Sequence, residues 1–207
     1  MILTKIEKQK KYKKRFNIFL DGNFTFGLYD DTIFKFGLRI NDELSDELCK
    51  EIREYDEYNF GKQIAYAYLS YKSRSKKEVY QKLKSKKISD KIIEDIINLL
   101  TEQKYINDLN YSKLYLENKL SNKPIGKRLL KLKLMEKGID KETTEKVIEE
   151  SFNEETELES ARKLLEKYSR KLKSKDAFDV RKKSFKYLVS RGFDFDVANE
   201  VLKLRNE

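Results

Sequence analysis

"LKSKKISDKIIEDII", residues 83–97, holds a helix end, a corner and a helix start in one short run. Leu83 closes one apolar stripe, Lys87 stands where a helix must leave its axis, Ile88 can staple the corner, and Ser89 is a good N-cap. Ile92, Ile93, Ile96, Ile97 and Leu100 then recur at helical spacing. The same order of events returns without a gap as "LMEKGIDKETTEKVI", 134–148, and "LVSRGFDFDVANEVL", 188–202. A period of roughly 50 residues is the mark of a tandem array.

Each aligned position has a physical job. Gly138 and Gly192 supply the left-handed residue that ends a helix, because glycine adopts positive φ without a Cβ penalty. Lys87 is the departure, and it is expected to cost stability. Ile88, Ile139 and Phe193 pack the corner, Ser89, Asp140 and Asp194 cap, and Ile96–Ile97, Val147–Ile148 and Val201–Leu202 take matching core positions. A leading helix precedes each pair, at about Phe60–Tyr71, Leu109–Leu120 and Leu158–Leu172. The first carries a stripe of Phe60, Ile64, Ala67, Tyr68 and Tyr71.

The first 58 residues read differently. "RFNIFLDGNFTFGLY", 15–29, sets Asp21-Gly22 between two aromatic-rich runs, a strong hairpin signal. "INDELSDELCKEIREY", 40–55, offers Asn41 and Asp42 as caps and Leu44, Leu48, Ile52 and Tyr55 as one face of a helix. The expected fold is mainly α: three tandem three-helix units, 59–108, 109–153 and 154–207, form an elongated curved body after a small β-hairpin plus helix unit, 1–58.

Composition agrees and narrows the function. With 7 Gly and 1 Pro among 207 residues, uninterrupted helix is easy and loop-rich β architecture is not. A net charge of +10 points to a polyanionic or acidic partner. There is no His, and one Cys cannot build a thiolate metal site, so neither the usual neutral-pH acid/base nor a common metal centre is expected. Cys49 reads as a small apolar residue. No apolar run reaches membrane-span length and no signal-peptide core opens the chain, which favours a cytoplasmic protein.

The cations are placed unevenly. "SRSKKEVYQKLKSKKIS", 73–89, opens with a capping box, Ser75 with Glu78, followed by a Val79, Tyr80, Leu83 stripe. Lys76 and Lys77 lie in the first helical turn, where the macrodipole disfavours cations, and Arg74 stands just outside. The repeat alignment puts Lys127-Arg128 and Arg181-Lys182 at the same positions, so a basic pair recurs in all three units. Arg74, Lys76, Lys77, Lys127, Arg128, Arg181 and Lys182 are therefore the candidate binding residues. "KQKKYKKR", 8–15, is a second basic cluster, suited to nucleic acid or to a charged edge strand. "EKVIEESFNEETELE", 145–159, is an acidic block that reads either as a solvated connector or as a docking surface.

The first unit resembles the RecX family, regulators of the RecA recombinase. Ala65, Leu69, Arg74, Ser75, Glu78, Lys82 and Leu83 keep the family's A-x-x-x-L-x-x-R-x-R-S-x-x-E-L-x-x-K-L pattern, with Lys72 and Val79 as mild changes. Ile106, Asp108, Tyr111 and Ser112 are similar to its I-x-D-x-x-[FY]-[AS], and Gly126, "LMEKGI" and Tyr187–Leu202 continue the likeness to the C-terminus. The resemblance implies a non-enzymatic modulator, without cofactor, that binds the RecA filament on single-stranded DNA and lowers ATP hydrolysis and strand exchange. A monomer suffices for lining a filament. The competing reading is a module that binds single- or double-stranded DNA directly, with affinity falling steeply in salt. A carboxylate-metal enzyme, built on Asp108 or on Asp194 and Asp196, is the weakest of the three, since Asp194 reads as a cap and no phosphate loop accompanies these acids.

Overall fold

The computed structural model describes residues 1–11, 14–122, 124–172 and 176–204. Three antiparallel strands in the order β1-β2-β3 open the chain: β1 (Leu3–Lys8), β2 (Arg15–Leu20) and β3 (Asn23–Tyr29). The expected hairpin is β2–β3, and its turn residues Asp21 and Gly22 have φ of 49° and 80°, the handedness that suits the twist of paired strands. β1 adds an edge strand that the hairpin signal does not announce. Leu3, Ile18, Leu20, Phe26 and Leu28 form the buried face with Leu38, Leu44, Cys49 and Ile52. Of the basic cluster 8–15, Lys8 ends β1 and Arg15 begins β2, with its guanidinium 5.1 Å over the Tyr29 ring; Tyr12 and Lys13 lie outside the described residues.

A short helix, α1 (Asp30–Phe36), leads to α2 (Asp46–Tyr71). The cap of α2 is Ser45, whose hydroxyl accepts from Leu48 N–H at 3.1 Å; Asn41 and Asp42 instead shape the preceding turn, with Asn41 at φ 77° and Asp42 accepting from Arg39 N–H. Two helices were expected between 44 and 71, and one forms. Nothing in "DEYN", 56–59, breaks it, so a boundary at 58/59 falls inside a helix. Buried Asp56 of α2 accepts from Tyr29 N–H (2.8 Å) and from the Thr32 hydroxyl (2.6 Å), satisfying the open end of α1.

The first repeat is completed by α3 (Lys76–Lys84) and α4 (Asp90–Glu102). The α4 stripe of Ile92, Ile93, Ile96, Ile97 and Leu100 is buried as expected. The expected stripe of α2 is buried only in part: Phe60, Ile64 and Tyr68 are half-buried and Ala67 and Tyr71 exposed, while the fully buried positions are Cys49, Ile52, Asp56, Gly61 and Ala65. Gly61 explains the shift, because a Cβ there would come within 2.6 Å of Ile96 Cδ1: small residues let the helices approach, whereas a search for large apolar side chains passes over them.

The second repeat comprises α5 (Asp108–Asn122), α6 (Lys127–Glu136) and α7 (Lys141–Ser151), and the third α8 (Glu154–Ser169), α9 (Ala177–Ser190) and α10 (Phe195–Lys203). Their cores are separate: Tyr111, Leu116, Ile125, Leu130, Leu134, Ile139, Val147 and Phe152 in one, and Ala161, Leu164, Leu165, Leu188, Phe193, Ala198, Val201 and Leu202 in the other. The chain divides into two compact units, 1–72 with 79–103 and 73–78 with 104–207, so the division falls inside α3.

The corners follow the repeat. Lys87, Gly138 and Gly192 have φ of 64°, 83° and 87°. Ser89, Asp140 and Asp194 all stand at N-cap positions, but only Asp140 makes the side-chain bond, accepting from Thr143 N–H at 2.7 Å. Ser89 is held from its other side, its N–H donating to Glu57. Left-handed backbone at a lysine is strained, so Lys87→Gly is expected to stabilise the protein by about 1 kcal/mol in urea unfolding. A variant no more stable than the parent would mean that the corner carries no strain.

Candidate partner-binding residues and the repeat junctions

The first turn of α3 and the second repeat lie in one compact unit, and there the opening basic run acquires partners. The capping box forms as read: Glu78 N–H donates to Ser75 Oγ (3.2 Å) and Ser75 N–H to Glu78 Oε2 (3.3 Å). Both residues do more. The Ser75 hydroxyl donates to Lys137 O at 2.7 Å, and the Lys137 ammonium meets Glu78 Oε1 at 2.7 Å. Burial alone would raise the Glu78 carboxyl; the Lys137 ammonium and the Ser75 N–H outweigh it and hold the group below the usual carboxylate range. Lys76 N–H donates to Asp108 Oδ1 (2.8 Å), and burial pushes that carboxyl up. Asp108 thus satisfies the start of α3 rather than that of its own helix.

Lys77 reaches across to the end of α6, donating to Glu136 O at 3.0 Å, while its stem lies on Gly138, where a Cβ would come within 2.5 Å of Lys77 Cβ. A cation on the last carbonyls of a helix is favourable there. Arg74 is half-buried and its charge acts on Tyr111, whose phenol is pushed up first by burial and then by Glu78.

The next junction repeats this grammar. Gly126 N–H donates to Arg191 O (3.0 Å), in the place of the Ser75 hydroxyl on Lys137 O. Lys127 N–H donates to Glu157 Oε1 (3.3 Å), in the place of Lys76 on Asp108. Arg128 donates to Val189 O (3.1 Å), as Lys77 does to Glu136 O. Glu157 is only 3% exposed, and the Lys127 ammonium lies 3.1 Å from its Oε2. Gly126 and Gly192 meet main chain to main chain: a Cβ on Gly126 would overlap Gly192 O and Phe193 N.

The third pair stands apart. The middle helix of the third repeat begins four residues earlier than the alignment implies, at Ala177, and is capped by its own Asp176, which accepts from Phe178 and Asp179 N–H. Arg181 and Lys182 therefore lie in its second turn, exposed and without a hydrogen bond or ion pair among the described residues, whereas Lys183 is tied to Asp179 at 2.7 Å. The recurrent pairs share a position in the repeat but not a role. Lys77, Lys127 and Arg128 join one unit to the next, and Arg181 and Lys182 face solvent.

The acidic block 145–159 is largely spoken for. Glu145 pairs with Lys131, Glu150 with Lys113, Glu157 with Lys127 and Glu159 with Lys163. Glu154, Glu155 and Glu157 also occupy the first turn of α8, behind the Asn153 cap, where carboxylates complement the macrodipole. Cys49 is buried, which pushes its thiol up. Among the described residues there is no group of three or more acidic, Cys or His side chains that could hold a metal ion, and no helix long and apolar enough to cross a membrane.

A three-stranded N-terminal sheet followed by three-helix repeats defines a helical-repeat protein. Family descriptions match at three places: the regulatory protein RecX N-terminal domain over residues 1–45, the first RecX three-helix domain over 62–100 and the third over 155–202. The chain is 36% identical to a regulatory protein RecX of Leuconostoc mesenteroides over 97% of its length and 74% of the relative's. It is 34% identical to one from Staphylococcus aureus, over 97% and 73%. A crystal structure of regulatory protein RecX superposes with a TM-score of 0.72 at 26% identity, over 100% of this chain and 99% of the other. One from Lactobacillus salivarius gives 0.65 at 30%, over 72% and 96%. The chain belongs to the RecX family of regulatory proteins.

Proposed function

We propose that this protein binds the RecA filament on single-stranded DNA and inhibits its ATP hydrolysis and strand exchange, as a cytoplasmic, non-enzymatic modulator of recombinational repair. Membership of a family of regulatory proteins is the observation that carries this reading. Tandem units with exposed cations suit a long polyanionic or acidic surface better than a small ligand. Of the seven candidate residues, Arg181 and Lys182 are the pair available for such a contact without loss of an internal partner.

The test is RecA ATP hydrolysis on single-stranded DNA, with this protein titrated below the concentration of DNA sites and again with excess DNA. Inhibition that is substoichiometric and survives the excess is the expected result. Reversing both cations, Arg181→Glu with Lys182→Glu, is expected to weaken inhibition about 10-fold. The melting temperature should stay unchanged, since exposed substitutions remote from partners are usually worth less than about 0.5 kcal/mol. Inhibition that appears only when the protein could coat the strand, and that excess DNA abolishes, would establish the second reading, a nucleic-acid binder competing for the strand.

A further inference from the structure

On α9, Phe178, Arg181, Lys182 and Phe185 are spaced i, i+3, i+4 and i+7, which places them on one face of the helix. Phe178 is 74% exposed although it carries a full aromatic ring. Phe185 is half-buried against the third-repeat core and stacks on Phe195 of α10, with ring centroids 5.7 Å apart and planes 12° from parallel. Phe195 leaves 60% of its surface open. A helical rise of 1.5 Å per residue separates Phe178 from Phe185 by about 10 Å along the axis, and between them lie two cations without a partner among the described residues.

We infer that this face of the third unit is a binding platform for single-stranded nucleic acid, in which Phe178 and Phe195 take bases by stacking and Arg181 and Lys182 take the intervening phosphates. Three observations favour a strand. Cations beside aromatic rings are the combination that single-strand binders use, a charged track for the backbone and rings for the bases. The α9 stripe carries no acid, since Asp179 lies beside it and is occupied by Lys183; Asp194 and Asp196 flank Phe195, so the phosphate contacts fall to the α9 end at Arg181 and Lys182. Phe178 and Phe195 are both exposed aromatic rings, and stacking tolerates any base. This assignment stands without the recombinase reading, since it needs the protein and the strand alone.

The experiment uses the full chain and a fluorescent oligo-dT of about 15 nucleotides, followed by anisotropy at several salt concentrations, with an abasic strand of the same length as the probe for charge alone. Phe178→Ala and Phe195→Ala are each expected to weaken oligo-dT binding roughly 10-fold while leaving the salt slope unchanged. Arg181→Ala with Lys182→Ala should reduce that slope by about 1.4, the counterion release of two single-strand phosphates. Because Phe195 also packs on Phe185, Phe195→Trp serves as the folded control and should retain binding. Equal affinity for the abasic strand, or phenylalanine variants that bind oligo-dT like the parent, would overturn the platform. Variants that keep the oligonucleotide but lose inhibition of RecA would overturn it too, and would assign the face to a protein partner.

Discussion

Gly126→Ala is expected to destabilise the second compact unit by about 3 kcal/mol, because a single added carbon meets main chain that cannot move aside. The Cβ would overlap the carbonyl of Gly192 and the nitrogen of Phe193, and Gly126 N–H would lose Arg191 O in the same displacement. Gly22→Ala is the informative comparison. Gly22 also has positive φ, but nothing lies within 4 Å of its Cβ position, so its cost is conformational alone, about 1–2 kcal/mol. Urea unfolding followed through the helical signal would measure both. If Gly126→Ala proves the milder of the two, the second and third repeats do not meet through their backbones.

Lys127→Glu carries the other large effect, about 3 kcal/mol of lost stability, since it sets a second negative charge beside a carboxylate buried to 3% exposure. The cost reflects Glu157 left in a dry site rather than the net worth of the ion pair. Lys127→Met combined with Glu157→Leu should therefore fall much closer to the parent. Chemical unfolding of the single and double variants separates these contributions. If Lys127→Glu were as stable as the parent, the pair would be solvated and the junction looser than the geometry implies. The expected instability bears on function as well. Charge reversal at 127 and 128 would loosen a junction, so a change in activity there could not be assigned to partner contact, whereas Arg181 and Lys182 have no such internal partner among the described residues.

Much of the architecture was legible because repetition doubles as a control. A Gly followed by an apolar residue and a cap is weak once, but the same sequence of events at 87–89, 138–140 and 192–194 fixes three corners, and even the lysine at the first adopts the backbone that its position requires. The Asp-Gly turn likewise declared the hairpin. What stayed hidden depends on small residues and on distance. Gly61 and Ala65, not the larger aromatics, mark the packed face of α2, and no local pattern shows that Asp56 caps α1 or that β1 pairs with β2. The candidate site was legible as a list and not as a set of roles. Position within the repeat predicted that basic pairs would recur, but only the fold shows that Lys77 and Arg128 bond the carbonyls of a following unit while the extra turn of α9 carries Arg181 and Lys182 away from any such partner.

The way these helices are capped has a consequence for how such an array can lengthen or stop. Each of the first two middle helices borrows: the opening amide of α3 is satisfied by Asp108 and that of α6 by Glu157, acids supplied by the unit that comes next in the chain. The third does not, because Asp176 precedes it and serves it directly. Removing the unit that follows α3 or α6 would leave an opening amide without its acid, whereas α9 takes its cap from the residue before it. Deleting a whole unit from such an array therefore removes, besides a hydrophobic core, an acid on which the preceding unit's middle helix relies, even where, as at Ser75, that helix also has a cap of its own.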